Sequence, residues 1–202
     1  MKMIFLGFLT TLSVVLFSCS DNASIKQKEE QSAAAHDTAE NAEVKVVKAS
    51  FTNVDAAVGA YIKKITDNYL QLKNALTNGK ANEAGDAAKN MFEGLKGFDK
   101  SLLTVEQKSL YDQQEAGLKE NAEHIIGSTG DIEHQREHFV SLSAGMYALA
   151  KAFGGGKTLY HDHCPMAQNG KGAMWLSETK EIKNPYFGDK MMECGSVEEE
   201  IQ

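Results

Sequence analysis

The chain has 202 residues and a formal net charge of -7. So acidic a protein repels phosphate, which excludes nucleic acid as a partner. At ~100–200 residues per domain, the length accommodates one folded domain and a tether.

The N-terminus, MKMIFLGFLTTLSVVLFSC, carries an early Lys2, an apolar run to Phe17 and a small residue, Ser18, before Cys19. This is the pattern of a secretory signal over residues 1–18, too short and wrongly flanked for a membrane span. Leu16-Phe17-Ser18-Cys19 resembles a bacterial lipobox, which implies cleavage before Cys19 and lipidation of that cysteine. A plain signal ending near a cysteine is the alternative. Ser20, in place of Asp, resembles the sorting position of outer-membrane lipoproteins, in the cell envelope and facing either the periplasm or the cell surface. Loss of Lys2 with the leader moves the net charge from -7 to -8. Residues 19–50 are rich in Ala, Glu, Lys and Ser and nearly free of large apolar residues, so they are expected to form a flexible tether. His36 within it reads as a solvated histidine.

Residues 51–153 read as four amphipathic helices. Val54, Val58, Tyr61, Ile62, Ile65, Tyr69, Leu72 and Leu76 recur at three- and four-residue steps, which predicts a helix over 53–77, stopped by Asn78-Gly79. Met91, Phe92, Leu95 and Phe98 place a second over 82–100, weakened by Gly85, Gly94 and Gly97. Thr104 and Gln107 form a capping box for a third that runs to Ile126. Asp131 caps a fourth carrying Ile132, Phe139, Leu142, Met146, Leu149 and Phe153. Short connections imply antiparallel neighbours. The expected fold is therefore all-α: an up-down-up-down four-helix bundle with an irregular metal-binding tail, residues 154–202, packed on it.

Two motif-like stretches carry less than their spelling suggests. Gly154-Gly155-Gly156-Lys157-Thr158 resembles the end of a phosphate-binding loop, but Lys151 stands where the first glycine belongs and a helix precedes it. A helix stop explains it better. His134-Gln135-Arg136-Glu137-His138 spells H-x-x-E-H, the pattern of inverted zinc proteases. Without a third ligand or a cleft, a zinc-dependent hydrolase using His134, Glu137 and His138 is the least favoured reading. Arg136 is expected to pair with a carboxylate or to cap the tail.

The tail concentrates soft donors. His161, His163, Cys164 and Met166 fall within six residues, and Met191 and Cys194 stand near its end. Thiolate and thioether prefer Cu(I) or Ag(I), and imidazole is borderline. Turns at Asn184-Pro185 and Gly188 would fold the tail back and join the two groups into a clip. Composition and spacing leave three readings open. The clip binds a soft metal; or Cys164 and Cys194 form a disulfide latch, closing a loop of about 30 residues for roughly 3 kcal/mol; or a Cys2His2 set holds Zn(II). Trp175 either shields the site or anchors the tail to the bundle, and Tyr186 and Phe187 are expected to cover the bundle end.

The tail pattern Y-x-x-x-C-P-M-A, G-A-x-W-L-S, I-x-N-P-Y-F-G and M-x-x-C-G, with Ile132–Phe139 and Leu142-Ser143, resembles a bacterial domain of unknown function. That domain occurs as a stand-alone lipoprotein and as the C-terminal extension of CusB-like copper/silver efflux adaptors. The resemblance spans residues 50–197. Cys-Pro-Met after a tyrosine is similar to the heavy-metal motif of copper pumps, although Ala167 stands where a histidine usually follows. The resemblance implies Cu(I) or Ag(I) handling outside the cytoplasm, by binding rather than turnover, with an efflux adaptor or a related periplasmic metal-handling protein as partner. Cys164 and Cys194 would supply thiolates, Met166 and Met191 thioethers, and His163 and His161 imidazole.

Overall fold

A computed structural model describes residues 44–202; the signal peptide, Cys19 and the tether as far as residue 43 lie outside the described residues. Four helices form where the apolar period predicts them: α1 Ala56–Thr77, α2 Ala81–Lys96, α3 Val105–Gly127 and α4 Ile132–Phe153. Their starts follow from side-chain capping. Asp55 accepts from Ala57 N at 2.7 Å, and Asp131 accepts from His134 N at 3.2 Å. Thr104 and Gln107 close the predicted capping box, with Gln107 N donating to Thr104 Oγ1 and Thr104 N to Gln107 Oε1. Thr104→Ala is expected to lower stability by about 1 kcal/mol in denaturant melts.

The second helix is shorter than its pattern. It stops at Lys96, and Gly97 turns the chain into a 3-10 turn at Lys100–Leu102 that is capped by Asp99. Gly94 lets α2 sit close to α1, since a Cβ there would lie 2.8 Å from the tip of Ile65, Cδ1, which would have to shift. Each helix packs on its sequence neighbours and α1 packs on α4, which closes the bundle. Ile62, Tyr69, Leu76, Met91, Tyr111, Phe139 and Met146 are fully buried at its centre. Burial of each large apolar side chain contributes ~1.5–3 kcal/mol. The glycine run acts as the helix stop, with Gly154 N closing on Ala150 O at 2.9 Å.

The all-α expectation does not hold. The tail is largely sheet: β2 Leu159–Cys164, β3 Ala173–Ser177 and β4 Ser196–Ile201, joined by β1 Lys45–Val47 from the stretch expected to be flexible. The strand order is β1-β4-β2-β3, with β1 parallel to β4 and the other pairs antiparallel. The fold is thus a helical bundle with a mixed four-stranded sheet, and β3 lies against α1 and α4. The physical cause is long-range pairing. Backbone groups in the tail that no helix satisfies find partners in other tail strands and in β1. No helix among the described residues is long and apolar enough to cross a membrane.

Candidate functional site

The end of β2 and the last turn before β4 meet at the two cysteines. Cys164 and Cys194 hold their Sγ atoms 2.7 Å apart, longer than the ~2.05 Å of a disulfide bond yet closer than two unbonded sulfurs normally approach, with no disulfide joining them, so the pair is poised either to bond or to share an ion. Cys164 is buried; Cys194 is partly exposed.

The segment that returns Cys194 to β2 is fixed by its own polar contacts. Asn184 Nδ2 donates to Cys194 O at 2.7 Å, and Asn184 N donates to Met192 O at 2.8 Å. Asn184 Oδ1 accepts from Tyr186 N at 2.8 Å, so one buried amide closes the loop from both sides. At Gly195 the backbone has φ 146°, and a Cβ would stand 2.9 Å from the Trp175 ring and 3.0 Å from His163 O. Only glycine allows Cys194 to approach so closely. Trp175 is fully buried, edge-on to Tyr186 at 5.9 Å, and therefore anchors the tail. Tyr186 packs in turn on Phe139 of α4, covering the bundle as expected.

The other predicted donors divide. Cys194 N donates to Met191 O at 3.2 Å, and Met166 N–H points at the Cys194 sulfur. Both methionines are thus tied to the pair through their backbones. The Met166 side chain is 54% exposed and lines an open cavity of about 420 Å³ with Arg136, Phe187 and Glu133. The histidines are placed differently. Side chains alternate along β2, so Cys164 shares a face with Asp162, whereas His161 and His163 share the opposite one. There they flank Glu198, the extra residue at the β4 bulge, with Nδ1 distances of 3.6 Å and 3.4 Å to its carboxylate. The His161 ring stacks on Tyr147 at 4.2 Å, and burial lowers its basicity. Among the described residues no group of three or more His, Cys, Asp and Glu is placed to hold a metal.

Burial, the neighbouring Cys164 sulfur as hydrogen-bond partner and its charge raise the Cys194 thiol to about 11, against a smaller pull from Met166 N–H. In the reduced pair, a metal ion bound at Cys194 must displace its proton.

Sequence reasoning missed a buried charged cluster on the same face. Asp162 is fully buried, and neither of its carboxylate oxygens has a hydrogen-bond partner. Lys73 of α1 is 2% exposed and pairs with Glu178 at 3.1 Å, and Glu178 also accepts from Asn74 at 2.9 Å. Burial drives the Asp162 carboxyl up to about 8 against the opposing charge of Lys73. The signal was an aspartate inside a strand of otherwise bulky residues.

Arg136 meets both expectations for it. Its Nε donates to Pro185 O at 2.8 Å, its Nη2 to Leu76 O at 3.0 Å and its Nη1 to Glu133 at 3.2 Å.

Residues 65–158 match a family described as a protein of unknown function, DUF3347. The match supports a domain family of unknown function over the bundle and ends just before β2, so the cysteine pair lies beyond it. No curated protein and no solved structure matches the chain.

Proposed function

We propose that the chain captures Cu(I) or Ag(I) at Cys164 and Cys194 and buffers it for, or hands it to, an efflux adaptor in the cell envelope, held there by lipid on Cys19. The observation that carries this reading is the apposition of two free thiols, one from β2 and one from a loop closed by Asn184. Two soft sulfurs with methionine neighbours suit a monovalent soft ion, which accepts low coordination numbers. Zn(II) fits less well, because a structural zinc takes four S or N donors. No third His, Cys, Asp or Glu joins the pair among the described residues. His161 and His163 serve, on this reading, as a second polar face for the strand rather than as ligands to the same ion.

The same apposition supports a second reading, a structural lipoprotein in which the two thiols oxidise to a latch. Native mass spectrometry of the full chain under reducing conditions, with Cu(I) supplied against a competing chelator, separates the two. One retained copper is expected. Cys164→Ser or Cys194→Ser should weaken it by more than the ~10–100-fold that outer-shell changes cost, and Met191→Leu by less. No copper uptake by the fully reduced chain, with a two-proton mass deficit before reduction, would leave the latch standing.

A further inference from the structure

Three imidazoles gather where α3 meets α4, beside Glu137, which also lines the cavity at Met166. His138 stacks face to face on His124, with ring centroids 4.4 Å apart and planes within 4°. One turn earlier on α4, His134 Nε2 lies 3.2 Å from His138 Nε2. That contact raises a question of protons, because a hydrogen bond between two ring nitrogens needs exactly one of them to donate.

The neighbours answer it. Asn121 Nδ2 donates to Gly117 O at 2.8 Å, which turns the amide oxygen Oδ1 toward His138. That oxygen lies 3.2 Å from His138 Nδ1 and can only accept, so Nδ1 of His138 carries the proton. On the other ring, Nδ1 of His134 lies 3.3 Å from the Glu137 carboxylate, an ion-pair contact. His138 Nε2 therefore bears a lone pair, and in the metal-free chain His134 Nε2–H can donate to it at 3.2 Å. A metal ion that displaces that one proton meets two Nε2 lone pairs already at this separation.

We infer that His134 and His138 form a two-imidazole chelate for a borderline divalent metal ion, with both Nε2 atoms as ligands and Glu137 and Asn121 as their outer-shell partners. Metal–nitrogen bonds of ~2.0–2.1 Å in tetrahedral geometry place two ligand nitrogens a little over 3 Å apart. The separation present is thus close to the bite such an ion requires. A ligating histidine characteristically donates its other N–H to a carboxylate or carbonyl; His138 does so to Asn121, and the Glu137 carboxylate stands within reach of His134. The stacked His124 ring holds the plane of His138, and Glu120 and Glu137 bring negative charge to the site. Remaining positions on the ion face solvent, since His134 is exposed. Nitrogen donors select Zn(II), Ni(II) or Cu(II), unlike the sulfur pair. Glu137 is bound to the ring of His134 and stands as a positioning residue, not as a base for hydrolysis.

The test is a titration of Zn(II) alone, to two equivalents, into the full chain labelled with 15N in histidine. Following ring nitrogens by NMR resolves this site from any zinc taken by the cysteines. The Nε2 resonances of His134 and His138 should move together to the metal-bound position while both Nδ1 atoms stay protonated. His134→Ala, a change at an exposed position, should abolish the response of His138, and Asn121→Ala should weaken it by ~10–100-fold. Unmoved Nε2 resonances, or a His138 response that persists in His134→Ala, would overturn the assignment. Neither outcome depends on whether Cys164 and Cys194 take copper.

Discussion

Arg136→Ala should lower the stability of the chain by roughly 2–3 kcal/mol, the cost of stripping a charged donor from a buried carbonyl. The guanidinium is 7% exposed and joins three elements: the last turn of α1 through Leu76 O, the loop after β3 through Pro185 O, and its own helix through Glu133. The exposed Glu133 contact contributes little. Pro185 O matters more, because a buried acceptor left without a donor costs about 1–3 kcal/mol, whereas Leu76 O keeps the backbone N–H of Gly79 at 3.2 Å. Arg136→Lys should recover only part of the loss, since a single ammonium cannot reproduce the planar fork. Equilibrium denaturation measures the total. Faster alkylation of Cys194 in the variant would show that the loop carrying it is released; an unchanged melt would mean that water replaces the guanidinium at no cost.

The second large effect concerns pH. The Asp162 carboxyl is raised from the usual value near 3.8 to about 8 by burial. Between those values the folded chain keeps a proton that the unfolded chain has lost. Its stabilising contribution is therefore complete below about pH 4 and is lost as pH rises toward 8, at up to ~1.4 kcal/mol per pH unit. Lys73, Glu178 and Tyr69 face this carboxyl, and burial of His161 acts in the opposite direction below its ordinary range. The clean quantity is thus the difference between the unaltered chain and Asp162→Asn. That difference should grow in favour of the asparagine chain from pH 5 to pH 8 and then level off. Parallel stability curves would mean that Lys73 neutralises Asp162 throughout.

The helices were legible because each rests on a local rule. Tyr69 and Leu76 repeat on one face, and Thr104 and Gln107 cap each other three residues apart. The strands rest on partners far away in sequence. Ser196–Ile201 falls in the stretch expected to be irregular, yet it forms a strand whose Glu199 is buried, with Tyr147, Lys45 and Lys151 reaching it from α4 and β1. Leu159–Cys164 shows no clean alternation, since Asp162 and His161 are buried on opposite faces. The meeting of Cys164 with Cys194 could be read from turns and composition. The separation of His161 and His163 from Cys164 could not, because it depends on the phase of a strand whose existence the pattern did not reveal. H-x-x-E-H was legible as spelling only. Its meaning depends on Asn121, on a different helix.

The edge strand has a mechanical consequence. β1 runs parallel to β4, and Gln202 N and O bond to Val47 and Ala49 across them. A pull directed along β1 loads the evenly spaced, slanted bonds that cross between the parallel strands. Those bonds are loaded together in shear and cannot open one at a time as a zipper would. The Lys45–Glu199 ion pair at 3.0 Å shares the load. Force entering β1 passes through β4 into β2, the strand that ends at Cys164, so a load on the edge strand reaches the thiol pair.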